Sequence, residues 1–411
     1  MPSPTRLRAV GLLERYHTTR HLLGLDSCVL VAAKYTCADG SILNKELVFP
    51  ALRKAIATHP VLGVKFEGEA TSKPFFVALE TIELPRVVQF SDADNLEAAL
   101  QSQLSRRFDT LADLPLWRIE VLKDNTVIFA FHHAIGDGLS GVAFHTSLLA
   151  ALQDVKGEDD SPTVVIPQSL KLLPPIEVAT SLWPSVRKIA SEVFALLAPT
   201  SWTWGSSAWT ANSVLKTPSL EPRVKLFTLP ASDMVKFSAA CRANSATITS
   251  AFYELAVSLL SRIVAQDFVQ YNTLSCFVAV SLRTVAGAPA DAMCDYRQKH
   301  AAREEIGMLA FLFGNIAGYF RAQLGRKRGG TFELSNAGRV LAAAPAGRWR
   351  IGRMAFAQCN VVVGAALTMN VIGDPTGAVN IAVTWGEASI DDELVEAFVA
   401  QFQEGFHELI S

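Results

Sequence analysis

Phe131-His132-His133-Ala134-Ile135-Gly136-Asp137-Gly138 is the stretch on which the reading of this chain turns. It follows two apolar runs, 116–122 and 126–132, joined by the polar Lys123-Asp124-Asn125, a pattern that predicts a hairpin. In the second run Val127, Phe129 and Phe131 face one way and Ile128, Ala130 and His132 the other. Both faces are apolar, so the strand is expected inside a sheet. Beyond the stretch, Leu139, Val142, Ala143, Thr146 and Leu149 fall at helical spacing, which predicts a helix starting near Gly138. An imidazole at the end of a buried strand projects into a cavity while the sheet fixes its backbone. Poised near neutrality, it can take a proton from an alcohol, amine or thiol attacking an acyl carbon. Asp137, in the turn before the helix, suits a structural anchor better than a second base. Gly136 and Gly138 are expected to permit the tight turn and let a ligand approach the backbone. A lone histidine on an apolar strand is ordinarily a core residue. A pair at a strand end, with Asp and two glycines at fixed offsets, points to His133 as a general base. No serine or cysteine nucleophile is needed if the acyl donor is already an activated thioester.

Working outward, the 411 residues exceed what one compact core usually spans, so two lobes are expected. Half the residues are hydrophobic and 18% are charged, enough apolar material for two cores and too much for a disordered chain. The net charge of −2, without a basic stripe, argues against nucleic acid. Six cysteines without a Cys-x-x-Cys pair read as reduced core thiols, with no disulfide frame and no metal site. There is no apolar stretch behind Arg6 and Arg8 long enough for a signal peptide, and no run of about 18 apolar residues for a membrane span. The expected compartment is the cytoplasm. Gly138-Leu139-Ser140-Gly141 is not the Gly-x-Ser-x-Gly elbow of hydrolases, and no P-loop or dinucleotide fingerprint is present. Arg326-Lys327-Arg328-Gly329-Gly330 reads as a solvated basic turn in preference to a phosphate site.

Strands and helices alternate, which predicts an α/β protein. Residues 1–155 form a first lobe carrying the histidine stretch, 156–222 a crossover, and 223–411 a second lobe. The crossover opens with Gly157-Glu158-Asp159-Asp160-Ser161-Pro162, is rich in proline, and is helical near 186–197. Its Trp183, Trp202, Trp204 and Trp209 predict that it packs against the body. In the second lobe a strand is expected at 224–229, followed by two helices. The second of these carries the stripe Ile248, Ala251, Phe252, Leu255, Ala256, Leu259, Leu260, Ile263. A further strand at 277–282, a hairpin of 361–371 with 379–385 about Asp374-Pro375-Thr376-Gly377, and a last helix from 391 complete the reading.

His132-His133-x-x-x-Asp137-Gly138 resembles the signature shared by chloramphenicol acetyltransferase, plant acyl-CoA-dependent acyltransferases and nonribosomal peptide condensation domains. Within that group the chain is most similar to the fungal alcohol acetyltransferase family. The likeness is carried in order by Leu13-Glu14-Arg15-Tyr16, Arg20-His21-Leu22-Leu23-Gly24, His59-Pro60-Val61-Leu62, Leu116-Trp117-Arg118-Ile119 and Val280-Ser281-Leu282-Arg283. It continues through Phe332-Glu333-Leu334-Ser335-Asn336-Ala337-Gly338, Phe356-Ala357-Gln358 and Val383-Thr384-Trp385.

The resemblance implies two chloramphenicol-acetyltransferase-like lobes, mixed sheets covered by helices, meeting at a central tunnel. Acyl-CoA, acetyl-CoA in the first instance, would enter from one face and a small-molecule acceptor from the other, with no metal. His133 would deprotonate the acceptor and later protonate the departing thiolate, while Asp137 would pair with Arg283 and Gly138 complete the motif. Ser335 and Asn336 would line the tunnel and stabilise the oxyanion, a polar turn being the alternative. Gln358 and Trp385 would shape the acceptor side beside His132, a core tryptophan being the alternative. His17 would reach the tunnel unless it lies exposed on its helix.

The chain departs from the family pattern after Arg283, where a substantial piece of the second lobe is expected to be missing and Cys294 replaces a glycine. The reading is therefore O-acylation, acetylation first, of a hydroxyl on a fungal secondary metabolite by a monomer. A mildly amphipathic start (Leu7, Val10, Leu13) leaves peripheral membrane contact open. One alternative keeps the scaffold and uses His133, without coenzyme A, to cyclise, isomerise or condense a large apolar metabolite. A second is a non-catalytic binding protein.

Overall fold

The computed structural model describes residues 5–155, 161–197, 207–267, 271–299, 302–312, 315–341, 347–359 and 362–411. Its main strands, in chain order, are β1 (Val29–Cys37), β2 (Val88–Ser91), β3 (Trp117–Leu122), β4 (Thr126–Phe131), β5 (Pro222–Leu229), β6 (Cys276–Ser281), β7 (Arg297–Lys299), β8 (Phe332–Arg339), β9 (Trp349–Gln358), β10 (Leu367–Gly373) and β11 (Val379–Gly386). The principal helices are α1 (Leu12–Leu22), α2 (Lys45–Thr58), α3 (Gly138–Gln153), α4 (Ala231–Ala243), α5 (Ile248–Asp267) and α6 (Asp392–Glu408).

These strands form two mixed sheets, ordered β9-β1-β4-β3-β2 and β5-β11-β10-β8-β6-β7. β3 and β4 pair antiparallel as a hairpin, and β4 lies inside the first sheet with β1 on its other side. Its period-2 pattern separates two cores. Val127, Phe129 and Phe131 pack in the first lobe, where Phe129 stacks on Phe144 of α3 at 3.7 Å. Ile128 and Ala130 face a cluster that also holds Val224, Phe320 and Ala382 from the second half. The second core lies between the other sheet and α4, α5 and α6, with Phe237, Phe252, Phe402 and Phe406 fully or nearly buried.

By length and composition alone, Ile248–Gln266 in α5 could cross a membrane. Its Phe252, Ala256, Leu259, Leu260 and Ile263 are instead packed in this core.

The sheets cut across the sequence halves. β9, from residues 349–358, completes the first sheet by pairing antiparallel with β1, placing Phe356 opposite Val31 and Gln358 opposite Val29.

Three local expectations change. The strand expected over 361–371 begins only at Leu367, and residue 361 lies outside the described residues. Just before it, the Val362 carbonyl accepts a 2.6 Å hydrogen bond from the Arg328 guanidinium and so is not free for a ladder. Arg328 is accordingly no solvated basic residue: it is buried, and burial lowers its pKa to about 10. In the crossover, Trp209 is buried but Trp183 is 78% exposed, while Trp202 and Trp204 lie outside the described residues.

Candidate active site

The His132–Gly138 turn is built by its own hydrogen bonds. The His132 amide donates to the Leu116 carbonyl at 2.8 Å, which holds the turn to the start of β3. A single 3-10 turn over His133–Ile135 follows, capped by His132, whose Nδ1 accepts from the Ala134 amide at 3.0 Å. Asp137 then caps α3. Its Oδ1 accepts from the Ser140 amide at 3.0 Å, satisfying one of the otherwise orphaned donors of the first turn.

That same Oδ1 takes a 2.5 Å hydrogen bond from Nη2 of Arg283. Burial opposes the charge on this guanidinium, but Asp137 overrides it and holds the Arg283 pKa above its usual value. Gly138 is required for a reason the sequence does not show. A Cβ there would stand 2.8 Å from the Phe356 ring, so β9, and not a ligand, makes the close approach.

The loop after Arg283 is tied to this unit. Arg283 donates to the carbonyls of Ala292 at 2.5 Å and Cys294 at 3.1 Å, and the Cys294 amide donates to the Ser140 hydroxyl at 3.1 Å. The next residue, Asp295, has a side chain with no solvent exposure. Its Oδ1 lies 3.7 Å from Nδ1 of His133 and its Oδ2 lies 3.3 Å from Nε2 of His17 on α1. The two imidazoles stack with centroids 3.7 Å apart and planes 8° apart. Burial pushes the Cys294 thiol up to about 12, with Arg283 opposing and Asp137 adding to the rise, so it is no thiolate nucleophile.

His133 opens on a cavity of about 320 Å³, lined also by Tyr16, His17, Arg20, Glu333, Gln358 and Cys359. On the other side of the turn a cavity of about 180 Å³ is bounded by Ala134, Ile135, Cys294 and Asp295. His17 is buried, not exposed on its helix. His132 is also buried, its ring among His21, Phe66 and Phe108. Burial, helped by His21 and His133, holds its pKa well below the usual histidine value.

The other expected residues spread out. Ser335 is buried on β8, opposite Asn370 of β10. Asn336, one residue on and facing the other way, bonds the Thr249 hydroxyl at 2.9 Å and lines a separate cavity of about 550 Å³. Trp385 is part of the second core and donates to Asp392 at 2.6 Å. Sequence reasoning did not single out Asp295, Tyr16, Arg20 or Glu333. Tyr16, Arg20 and Glu333 stand in stretches that carry the family resemblance, but only the fold brings them, and Asp295, to His133.

Among the described residues, two groups bring three ligand-type atoms within 4.8 Å: His17, His133 and Asp295, and His21, Glu69 and His132. Neither suits a metal. Imidazole lone pairs lie in the ring plane, and the parallel planes of His17 and His133 have no common in-plane point. In the second group, His21 Nε2 accepts from the Phe108 amide and His132 Nδ1 from the Ala134 amide. The proton of each ring is therefore on its other nitrogen, Nδ1 of His21 and Nε2 of His132, where a metal would need a lone pair.

A partly buried strand-end histidine thus opens on a cavity lined from both mixed sheets, in a fold of the chloramphenicol-acetyltransferase-like, condensation-domain kind; with the family match below, the chain is an acyltransferase. The fold is that of the trichothecene 15-O-acetyltransferase TRI3 from Fusarium sporotrichioides (TM-score 0.69, 13% identity, 98% of this chain and 94% of that one). It is also that of the wax ester synthase/diacylglycerol acyltransferase from Marinobacter aquaeolei VT8 (TM-score 0.59, 14% identity, 98% of each chain). The family profile described as Alcohol acetyltransferase matches residues 9–302 and 291–406, and the chain belongs to that family. A curated relative, named "Probable alcohol acetyltransferase crmB", from Aspergillus fumigatus is 24% identical over 93% of this chain and 95% of its own length.

Proposed function

We propose that this protein transfers an acyl group, acetyl in the first instance, from acyl-CoA to a hydroxyl of a small secondary metabolite, with His133 as the general base. The observation that carries the reading is the His133 imidazole, held at the end of β4 and open to the 320 Å³ cavity. The family match and the name of the Aspergillus relative support an alcohol acceptor and an acetyl donor. As the acceptor oxygen attacks the thioester carbon, its proton passes to His133. When the tetrahedral intermediate collapses, the C–S bond breaks and that proton goes to the departing thiolate. A ternary complex suffices, without a covalent acyl-enzyme. Of the side chains considered for the substrate site, His17 and Gln358 share the cavity of His133.

The test is free-thiol release from acetyl-CoA with a panel of alcohols, for wild type and His133→Ala. Release that needs both an acceptor and His133 is the expected result. Acceptor-dependent release by His133→Ala at the wild-type rate would refute the assignment.

A further inference from the structure

The family signature accounts for His133, Asp137 and the arginine partner, but not for a second carboxylate in direct line with the base. Asp295 is fully buried, one residue beyond Cys294, and its two oxygens face two imidazoles. We propose that Asp295 is a positioning residue for His133: its Oδ1 accepts from Nδ1–H, which fixes the tautomer and leaves Nε2 as the atom that takes the acceptor's proton. The inference rests on the general-base reading of the preceding subsection.

Three observations carry it. Oδ1 stands 3.7 Å from Nδ1, an ion-pair distance and not yet a hydrogen bond, and the proposal is that the gap closes when proton transfer makes the ring an imidazolium. Oδ2 engages His17 at 3.3 Å, so the carboxylate is held at both ends and the stacked His17 ring keeps the His133 ring from swinging away. The loop itself is pinned, because the Cys294 amide and carbonyl are bonded to Ser140 and Arg283, and both of those are bonded to Asp137. Asp137 thus acts on His133 through Arg283, Cys294 and Asp295, although its own side chain points into α3.

During turnover the charge moves in a closed circuit. The acceptor O–H bond breaks as the ester C–O bond forms, the proton resides on Nε2 facing a fixed anion at Nδ1, and it leaves with the thiolate. Stabilising the imidazolium lowers the barrier to attack without changing how either substrate binds, so the effect belongs in kcat.

The experiment uses full-length enzyme with acetyl-CoA and the best alcohol from the panel, comparing Asp295→Asn, Asp295→Glu and His133→Ala with wild type. Expected for Asp295→Asn is a kcat loss of about 100-fold or more, both KM values within about threefold, and partial recovery in Asp295→Glu. In wild type, 15N NMR of the His133 ring is expected to show a protonated Nδ1. Three results overturn the inference: full kcat in Asp295→Asn, an unprotonated Nδ1 in wild type, or activity lost to a chelator and restored by zinc. If Asp295→Asn does not fold, the Nδ1 signal of the wild type decides. The two readings fail separately. An active His133→Ala removes the general base itself, whereas a dead His133→Ala beside a fully active Asp295→Asn removes only the role of Asp295.

Discussion

Arg283 and Asp137, 146 residues apart in sequence, meet with Nη2 2.5 Å from Oδ1, and both side chains are buried. Because this pair also holds the loop bearing Asp295, breaking it is expected to damage stability and turnover together. Removing one partner leaves an uncompensated buried charge, a cost of roughly 3–5 kcal/mol. Asp137→Asn and Arg283→Met should each lower the unfolding free energy by that measure, read from a lower urea midpoint at unchanged slope, and reduce kcat. An Asp137→Asn protein as stable as wild type but inactive would show that Asp137 acts on the chemistry directly.

At Gly138 the added methyl of an alanine would collide with the Phe356 ring, 2.8 Å away. Overpacking of that kind costs about 1–3 kcal/mol. Gly138→Ala should therefore be destabilised, and pairing it with Phe356→Leu should recover much of the loss. Equal instability in the single and double variants would mean that the glycine serves something other than β9.

His145 supplies a pH dependence whose sign can be worked out. Its Nε2 donates to the Val31 carbonyl at 2.9 Å and its Nδ1 accepts from the Tyr35 hydroxyl at 2.9 Å, a neutral ring fully buried. Burial lowers its pKa to about 4, partly opposed by the bond to Val31. An unfolded histidine titrates near about 6.5. Between these values the unfolded chain binds a proton that the folded one refuses, so stability falls as pH drops through the window and is flat above it. The loss approaches about 3 kcal/mol at pH 4. Urea unfolding between pH 4.5 and 8 measures the slope, and His145→Gln should flatten it. A slope identical in the two proteins would assign the acid sensitivity elsewhere.

Glu69 lies beside His21, with Oε1 3.9 Å from Nδ1, an ion-pair distance and not a hydrogen bond. Glu69→Ala removes the carboxylate that accepts from the Thr110 hydroxyl and lies beside His21, at about 1–3 kcal/mol. Zinc and chelators should leave the melting temperature of the wild type unchanged. A chelator-sensitive melting temperature would instead make His21, Glu69 and His132 a metal centre.

How much of this could be read from the chain depends on range. The β3–β4 hairpin, the start of α3 and the buried stripe of α5 follow from period-2 and period-3.6 patterns over a few residues, and each stands where its pattern put it. Residues joined only by the fold were illegible. Nothing near residue 295 announces a carboxylate for His133, and nothing near 356 announces a ring over Gly138. The resemblance places Ser335 and Asn336 side by side in one tunnel, yet the pleat sends adjacent residues to opposite faces and Asn336 opens on a different cavity. The Asp137–Arg283 contact was accessible through family resemblance alone, since no local spacing links positions so far apart.

β9 has a consequence for how the chain is made. The first sheet needs residues 349–358 as its edge beyond β1, so a nascent chain that has emerged only through the crossover exposes β1 as an unpaired hydrophobic edge. Val31 is then without its partner Phe356, whose ring closes over Gly138. The amino-terminal half is expected to keep that edge open until residues 349–358 arrive. During synthesis this leaves an interval in which edge-to-edge pairing between chains competes with completion of the sheet.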